Sequence, residues 1–191
     1  MVGLALTRVP GMLPQNFSAA YALAFCAGVY FSGRMAWWLP MGTLIATDFA
    51  LNIFVYHYPV FDGYMLLKTL AFAAIVGLGR LFKPRHHFIK LLSGGLLGAV
   101  IFYVISNTAA WIYDPGYPKT FAGWVQALTT GLPGYPSTWE FFRSTLLSGG
   151  LFTGLFVGAM KAGEAAESAK EKETASEPEV EGDTQPEESK A

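Results

Sequence analysis

Long apolar runs separated by short polar connections fill most of the first 160 residues of the chain. A helix rises about 1.5 Å per residue and the hydrocarbon core of a bilayer is about 30 Å thick, so about 20 apolar residues are needed to cross it. The runs that reach or approach this length are residues 17–33, 36–55, 64–82, 90–112 and 139–160. The pattern predicts an all-α integral membrane protein, a bundle of about five transmembrane helices.

One further apolar run, Thr120–Leu132, is shorter than the others. A helix of about 13 residues covers only about 20 Å, so this run favours a re-entrant or interfacial helix. If the run crosses the membrane instead, the bundle has six spans.

Charge divides the chain into a polytopic membrane domain, residues 1–160, and an acidic tail, residues 161–191. The whole chain is 52% hydrophobic and 14% charged, whereas an ordinary soluble domain has about 25% charged residues. The tail holds four lysines against ten acidic residues and has no aromatic residue. Because it cannot bury enough apolar surface to offset its ordering entropy, we expect it to be disordered, with a short helix allowed within residues 162–173.

Positive charge predicts the orientation in the membrane. The most basic connection, "GRLFKPRHHFIK", carries Arg80, Lys83, Arg85 and Lys90. Basic connections stay in the cytoplasm, so we expect a multi-pass protein of the cell inner membrane with its N-terminus outside and its tail in the cytoplasm. The lipid bilayer, with its anionic headgroups, is the expected partner of this loop, which is too short to indicate nucleic acid.

With this topology, polar residues within and next to the apolar runs gather in the outer half of the membrane. They are Asn16, Asp48, Asn52, Lys68, Asn107, Asp114, Lys119 and Arg143. A carboxylate as deep as Asp48 costs about 2.5–3.5 kcal/mol on insertion scales, so it must face protein or water. A pocket for a small solute is therefore expected at the outer end. The candidate binding residues are Asp48, Asn52, Asn107, Trp111, Lys119, Thr120 and Arg143.

These candidates also have structural interpretations, which the sequence leaves open. Asp48 can form an ion pair with Lys68 or Arg143, and either cation can extend to the interface instead. Asn107 can hydrogen-bond between helices. Trp111 can belong to an interfacial aromatic belt, and Lys119 can be a solvated loop charge.

Small residues recur every four positions in the first run, at Ala20, Ala24, Gly28 and Ser32. Such a stripe lets helix backbones approach closely. It either packs helices within the protein or docks a partner subunit, and these four residues are the docking candidates.

Motifs for several kinds of chemistry are missing from the sequence. No glycine-rich loop is followed by Lys and Ser or Thr, the arrangement that binds nucleotide phosphates. His86 and His87 are adjacent, so they would point apart on a helix, and no cysteine or carboxylate lies near them. We therefore expect no enzyme activity, no cofactor and no metal site.

Several stretches resemble a family of small bacterial membrane proteins of unknown function that are labelled as transport proteins. They are "PQNFSAAYALAFCAGVYF" (14–31), "LPMGTLIATDFAL" (39–51), "SNTAAWIYDPGYPKTFAGW" (106–124) and "FFRSTLLSGGLFTGLF" (141–156). "YPKT" followed by "FFRSTLL" is the most specific signal. That family is similar in size and pattern to the substrate-capture components of energy-coupling-factor importers.

The resemblance implies a protein that binds an unknown small solute near the outer face of the membrane. Residues 107–126 would form a lid over the pocket, with Asn107 and Trp111 lining it and Lys119 and Thr120 beginning the short helix. The stripe at Ala20–Ser32 would dock a transmembrane coupling subunit that joins two ATPases. The alternative is a non-catalytic scaffold in cell-envelope or cell-shape assembly, which resembles the small rod-shape membrane proteins.

Overall fold

All of the described secondary structure is helical. The computed structural model describes Thr7 and residues 13–57 and 63–176, apart from the side chains of residues 56 and 173–176, and these ranges contain no strand. The helices are α1 (Ala20–Tyr30), α2 (Met35–Leu51), α3 (Gly63–Gly79), α4 (Phe88–Tyr113), α5 (Phe121–Leu128) and α6 (Thr138–Ser176), and a π-helical turn, Asn52–Tyr56, extends α2. The predicted all-α fold is confirmed for the described residues.

Three of the helices in the described part of the chain are long and apolar enough to cross a membrane. They are Met35–Val55, Phe88–Tyr113 and Thr138–Lys172. α3 is apolar but has 17 residues, about 26 Å of helix. α1 has only 11 residues, about 16 Å, where the sequence predicts a span over 17–33. The helix ends early because the chain becomes extended at Phe31 and Gly33 is left-handed, with φ 57°.

α5 is the short helix expected within Thr120–Leu132. It has 8 residues, about 12 Å of helix, and is too short to cross a bilayer alone. Thr120 caps its start, since its hydroxyl accepts a hydrogen bond from the Gly123 N–H at 3.2 Å. A larger residue at 123 would collide with Pro118, whose carbonyl carbon would lie 2.9 Å from the added carbon.

α6 runs past the boundary predicted at residue 160. The helix continues to Ser176, through the first part of the segment expected to be disordered. Ala, Glu and Lys dominate this part and favour helix, so the helix outlasts the apolar run. By its internal contacts the chain divides into one unit up to Gly158 and another from Ala159. The rest of the predicted tail, residues 177–191, lies outside the described residues.

α1 forms the centre of the first unit, with nine of its residues buried. It packs most extensively against α3, where Gly28 faces Gly79. A methyl carbon on Gly28 would lie 2.9 Å from the Gly79 Cα and closer still to the Val76 carbonyl oxygen. The two backbones can approach this closely because neither glycine has a side chain.

The small-residue stripe of α1 therefore packs within the protein, which corrects its interpretation as a docking surface. Ala20 and Ala24 are 3% and 0% exposed, and Gly28 is buried against α3. Ser32 lies beyond the end of α1 and is exposed. A partner subunit cannot reach the three buried residues while α1 and α3 are in contact.

The two ends of the bundle differ in character. α1, α3 and α6 begin, and α2 and α4 end, at what we call the polar end, which carries Asp48, Lys68 and Asn107. The connection from α3 to α4 lies at the opposite, basic end. There the Arg80 guanidinium donates to the Phe31 carbonyl oxygen at 3.4 Å.

Candidate functional site

A cavity of about 760 Å³ lies at the polar end of the bundle. Its lining comes from the end of α2, the start of α3, and the last turns of α4 with the connection that follows it. The segment before α1, the start of α1, the connection from α5 to α6 and the start of α6 complete it. Small-molecule sites have volumes of about 300–1,000 Å³, so the cavity has the size of a solute site. Six of the eight polar residues that the topology places together line it: Asn16, Asp48, Asn52, Lys68, Asn107 and Asp114.

An ion pair between α2 and α3 forms the charged part of the wall. The Lys68 ammonium lies 2.7 Å from a carboxylate oxygen of Asp48. The Asp48 side chain is 7% exposed and that of Lys68 is 21% exposed, so both charges are largely removed from water. The nearby ammonium compensates the cost of a carboxylate at this depth. The structural interpretation of Asp48, an ion pair with Lys68, is confirmed, and both partners also line the cavity.

Two further candidates, Asn52 and Asn107, line the cavity as well. Asn52 begins the π-helical turn one turn after Asp48, and such turns are frequent at functional sites. The Asn107 amide donates to the Tyr103 carbonyl oxygen at 2.8 Å. This bond lies within α4, so it is not the interhelical bond considered from the sequence.

Three buried aromatic residues of the lining, Tyr21, Phe72 and Phe102, form a cluster. The ring centroids of Tyr21 and Phe102 are 4.6 Å apart, and those of Phe72 and Phe102 are 4.9 Å apart. Lys68 and Phe72 are one turn apart on α3, so this aromatic cluster adjoins the ion pair. The wall therefore combines an apolar surface with two opposite charges.

The connection after α4 adds Asp114 and Tyr117 to the lining. The Asp114 carboxylate accepts a hydrogen bond from the Gly116 N–H at 2.8 Å, which fixes it in a turn. Burial, and secondarily the Asp114 charge, raise the pKa of the Tyr117 phenol, while a hydrogen bond with Thr138 opposes them. Tyr117 is therefore a neutral hydrogen-bonding group near pH 7.

Trp111 and Lys119 do not line the cavity, which corrects their predicted place in it. The Trp111 indole N–H donates to the Pro118 carbonyl oxygen at 2.8 Å. The Lys119 ammonium donates to the carbonyl oxygens of Trp111 and Asp114, the latter at 2.6 Å. These carbonyl groups lie at the C-terminus of α4, where carbonyl oxygens have no N–H partner within the helix and the helix dipole favours a cation. Both side chains hold the end of α4 to the following connection.

Thr120 and Arg143 also lie outside the cavity lining. Thr120 instead caps α5. Arg143 is exposed on α6, and the Asp48 carboxylate is paired with Lys68 instead. Its exposure fits the alternative in which its charge extends to the interface.

Hydroxyl groups that the sequence interpretation missed make up much of the polar lining. They belong to Thr7, Ser18, Tyr21, Tyr64, Ser106, Tyr117, Tyr135 and Thr138. Ser106 precedes the candidate Asn107 near the end of the same helix, so the sequence could have indicated it. The tyrosines resemble an ordinary interfacial aromatic belt, and nothing in the sequence separates them from one.

Comparison with known proteins identifies a family of unknown function. The sequence matches a family of unknown function, DUF6580, over residues 1–171, and the chain belongs to that family. No curated protein and no solved structure matches it. The resemblance to importer components therefore stays a prediction.

Proposed function

We propose that this protein is a multi-pass protein of the cell inner membrane that binds a small solute in the cavity and takes part in its transport. The observation that carries the proposal is a cavity of about 760 Å³ whose wall contains the ion pair of Asp48 and Lys68. Ionisable residues inside membrane helices are costly, and in natural proteins they mark solute or ion pathways. An envelope scaffold needs no such cavity, so solute binding is the better supported function.

The proposed arrangement in the membrane follows from helix length and charge. α2, α4 and α6 cross the bilayer, α1 and α3 complete the bundle, and α5 lies beside the cavity as a re-entrant or interfacial helix. The basic end faces the cytoplasm and its anionic lipid headgroups. The cavity then faces outward and the C-terminal tail lies inside, so the solute enters from outside.

A transmembrane coupling subunit with ATPases is the partner that the resemblance implies. In the proposed complex it contacts a surface other than Ala20, Ala24 and Gly28, because these residues are buried between helices. Co-purification with an ATPase tests this partner separately from solute binding.

Retention of a solute through gentle extraction tests the proposed function. Ala110 lines the cavity from α4, whereas Ala122 is exposed on α5 and does not line it. Ala110→Trp should fill part of the cavity, and Ala122→Trp adds the same side chain elsewhere. Native mass spectrometry should show a bound solute on the wild type and on Ala122→Trp, and at least tenfold less of it on Ala110→Trp.

The controls separate loss of the site from loss of the fold. Melting temperatures of the two variants should agree within a few degrees, and Ser106→Phe replaces Ala110→Trp if the latter does not fold. A wild-type protein that carries no solute, or an Ala110→Trp protein that carries as much as the wild type, would contradict the proposal.

A further inference from the structure

α2 is joined to the rest of the bundle along a narrow edge. Four of its 17 residues are buried, Ala36, Pro40, Leu44 and Asp48, and they recur every four positions on one side of the helix. By contrast, α1 buries nine of its 11 residues, α3 six of 17 and α4 eight of 26. α2 is therefore the least firmly packed of these four helices.

The same edge contains a point at which α2 can bend. Pro40 lies inside the helix and has no N–H to donate to the Ala36 carbonyl oxygen, which makes it a favoured site of bending. The Thr43 hydroxyl donates to the Leu39 carbonyl oxygen at 2.8 Å, and side-chain bonds of this kind also bend helices. Gly42 has no side chain, and a carbon added to it would meet nothing within 4 Å. This part of α2 has the features of a joint.

The part of α2 beyond Pro40 is the part that lines the cavity. Its lining residues are Asp48, Leu51 and Asn52, all of which follow the proline. The Asp48 carboxylate lies 2.7 Å from the Lys68 ammonium, so the ion pair ties this part of α2 to α3. A bend at Pro40 would therefore change the cavity wall and the ion pair together.

The distance from Pro40 to Asp48 is long enough for a small bend to separate the ion pair. Asp48 follows Pro40 by eight residues, which is about 12 Å of helix. A change of about 20° in the bend, the size at which a kink counts as sharp, displaces Asp48 by about 4 Å. A carboxylate that moves this far from a donor at 2.7 Å is beyond hydrogen-bonding distance.

The outward side of α2 does not oppose such a movement. Ile45, Phe49 and Phe54 are exposed apolar residues on the part beyond the proline. In the proposed arrangement in the membrane they face lipid, so they stay in an apolar environment whether α2 is bent or straight. Moving them sideways through lipid therefore costs little hydrophobic free energy.

We propose that α2 is a gate of the cavity. Its part beyond Pro40 swings away from α3 when a solute enters or leaves, and the Asp48–Lys68 ion pair is the latch that holds it closed. The inference rests on the proposed function in one respect, since it takes the cavity to be the place where a solute binds. The movement itself is measured without any solute.

Distances between spin labels test the gate in the purified full-length protein in lipid discs. Labels at Phe49→Cys on α2 and Leu70→Cys on α3, both exposed residues, report on the part of α2 that swings. Labels at Trp38→Cys and Leu81→Cys, also exposed, form the control pair and report on the part before the proline. The native Cys26 is 0% exposed, so it should take up no label. Double electron–electron resonance should give one narrow distance distribution for each pair.

Removing the latch should affect the first pair of labels alone. Asp48→Ala removes the carboxylate, and Lys68→Met removes the ammonium. In each variant the first pair should gain a second population at a distance about 4 Å longer, while the control pair stays unchanged. Adding Pro40→Ala to Asp48→Ala restores the missing N–H and should return a single population. If Lys68→Met, which leaves a carboxylate without its ammonium, does not fold, Asp48→Ala decides the result.

Three results would overturn the inference. An unchanged distance for the first pair, in Asp48→Ala or in folded Lys68→Met, would show that the ion pair is not a latch. Equal lengthening of both pairs would show that the whole helix loosens, and a second population that survives Pro40→Ala would place the bend elsewhere. Each of these results leaves the proposed function standing if the wild type still retains a solute that Ala110→Trp loses. Absence of that retained solute counts against the proposed function itself.

Discussion

Replacing Gly28 by alanine should force α1 and α3 apart. The added carbon would lie 2.9 Å from the Gly79 Cα, whereas carbon atoms in contact prefer about 3.5–4.0 Å. The two nearest atoms, the Gly79 Cα and the Val76 carbonyl oxygen, both belong to the backbone, so no side chain can move aside. Overpacking of this kind costs about 1–3 kcal/mol, and the better helix propensity of alanine returns roughly 0.5–1 kcal/mol. We expect a net loss of about 1–2 kcal/mol in the free energy of unfolding.

Gly42→Ala is the matched control, because Gly42 lies inside α2 and a carbon added there meets nothing within 4 Å. A loss of 1 kcal/mol lowers the melting temperature of a domain this size by about 2–4 °C. Thermal unfolding in detergent, followed by tryptophan fluorescence, should therefore show a melting temperature about 2–8 °C lower for Gly28→Ala and unchanged or raised for Gly42→Ala. Equal melting temperatures together with loss of a co-purifying subunit would show instead that Gly28 docks a partner.

Two further predictions follow from single contacts, and a third follows from the charge of the connections. Lys119→Met removes the ammonium from the end of α4 and should cost about 1 kcal/mol of stability. Arg143→Met, at an exposed residue, should leave the melting temperature unchanged. Equal melting temperatures for the two variants would refute the role of Lys119 in capping α4. Tyr103→Phe removes a 2.6 Å hydrogen bond to the last carbonyl of α5 and should cost about 1–2 kcal/mol; protease cleavage near α5 at the wild-type rate would speak against it. An impermeant thiol reagent should label Thr130→Cys and spare His86→Cys in intact cells, and the opposite labelling would reverse the orientation.

The sequence predicted the position of the cavity because polarity inside apolar runs is costly and therefore informative. Asp48, Asn52 and Asn107 were placed at one end by helix direction alone, and all three line the cavity. Lys68 was recognised as a possible partner for Asp48 for the same reason, since a deep carboxylate needs a nearby cation.

Contacts and helix ends that depend on backbone conformation could not be predicted from the sequence. Lys119 bonds to carbonyls eight and five residues earlier, and such a contact depends on how the connection folds back over α4. The end of α1 depends on the left-handed backbone at Gly33, which hydropathy does not record. The continuation of α6 beyond residue 160 shows that the end of an apolar run does not mark the end of the helix.

Entry of a water-soluble reagent into the cavity from outside is the most direct test of an outward-facing solute site. Ser106 lines the cavity, and the single native cysteine, Cys26, is 0% exposed. A cationic, impermeant methanethiosulfonate should modify Ser106→Cys in intact cells and leave the wild type unmodified. Leu97→Cys, on the exposed side of α4, should also stay unmodified because the proposed arrangement in the membrane places that side against lipid. A Ser106→Cys protein that resists the reagent both in intact cells and in inverted vesicles would contradict the existence of a solute-accessible cavity.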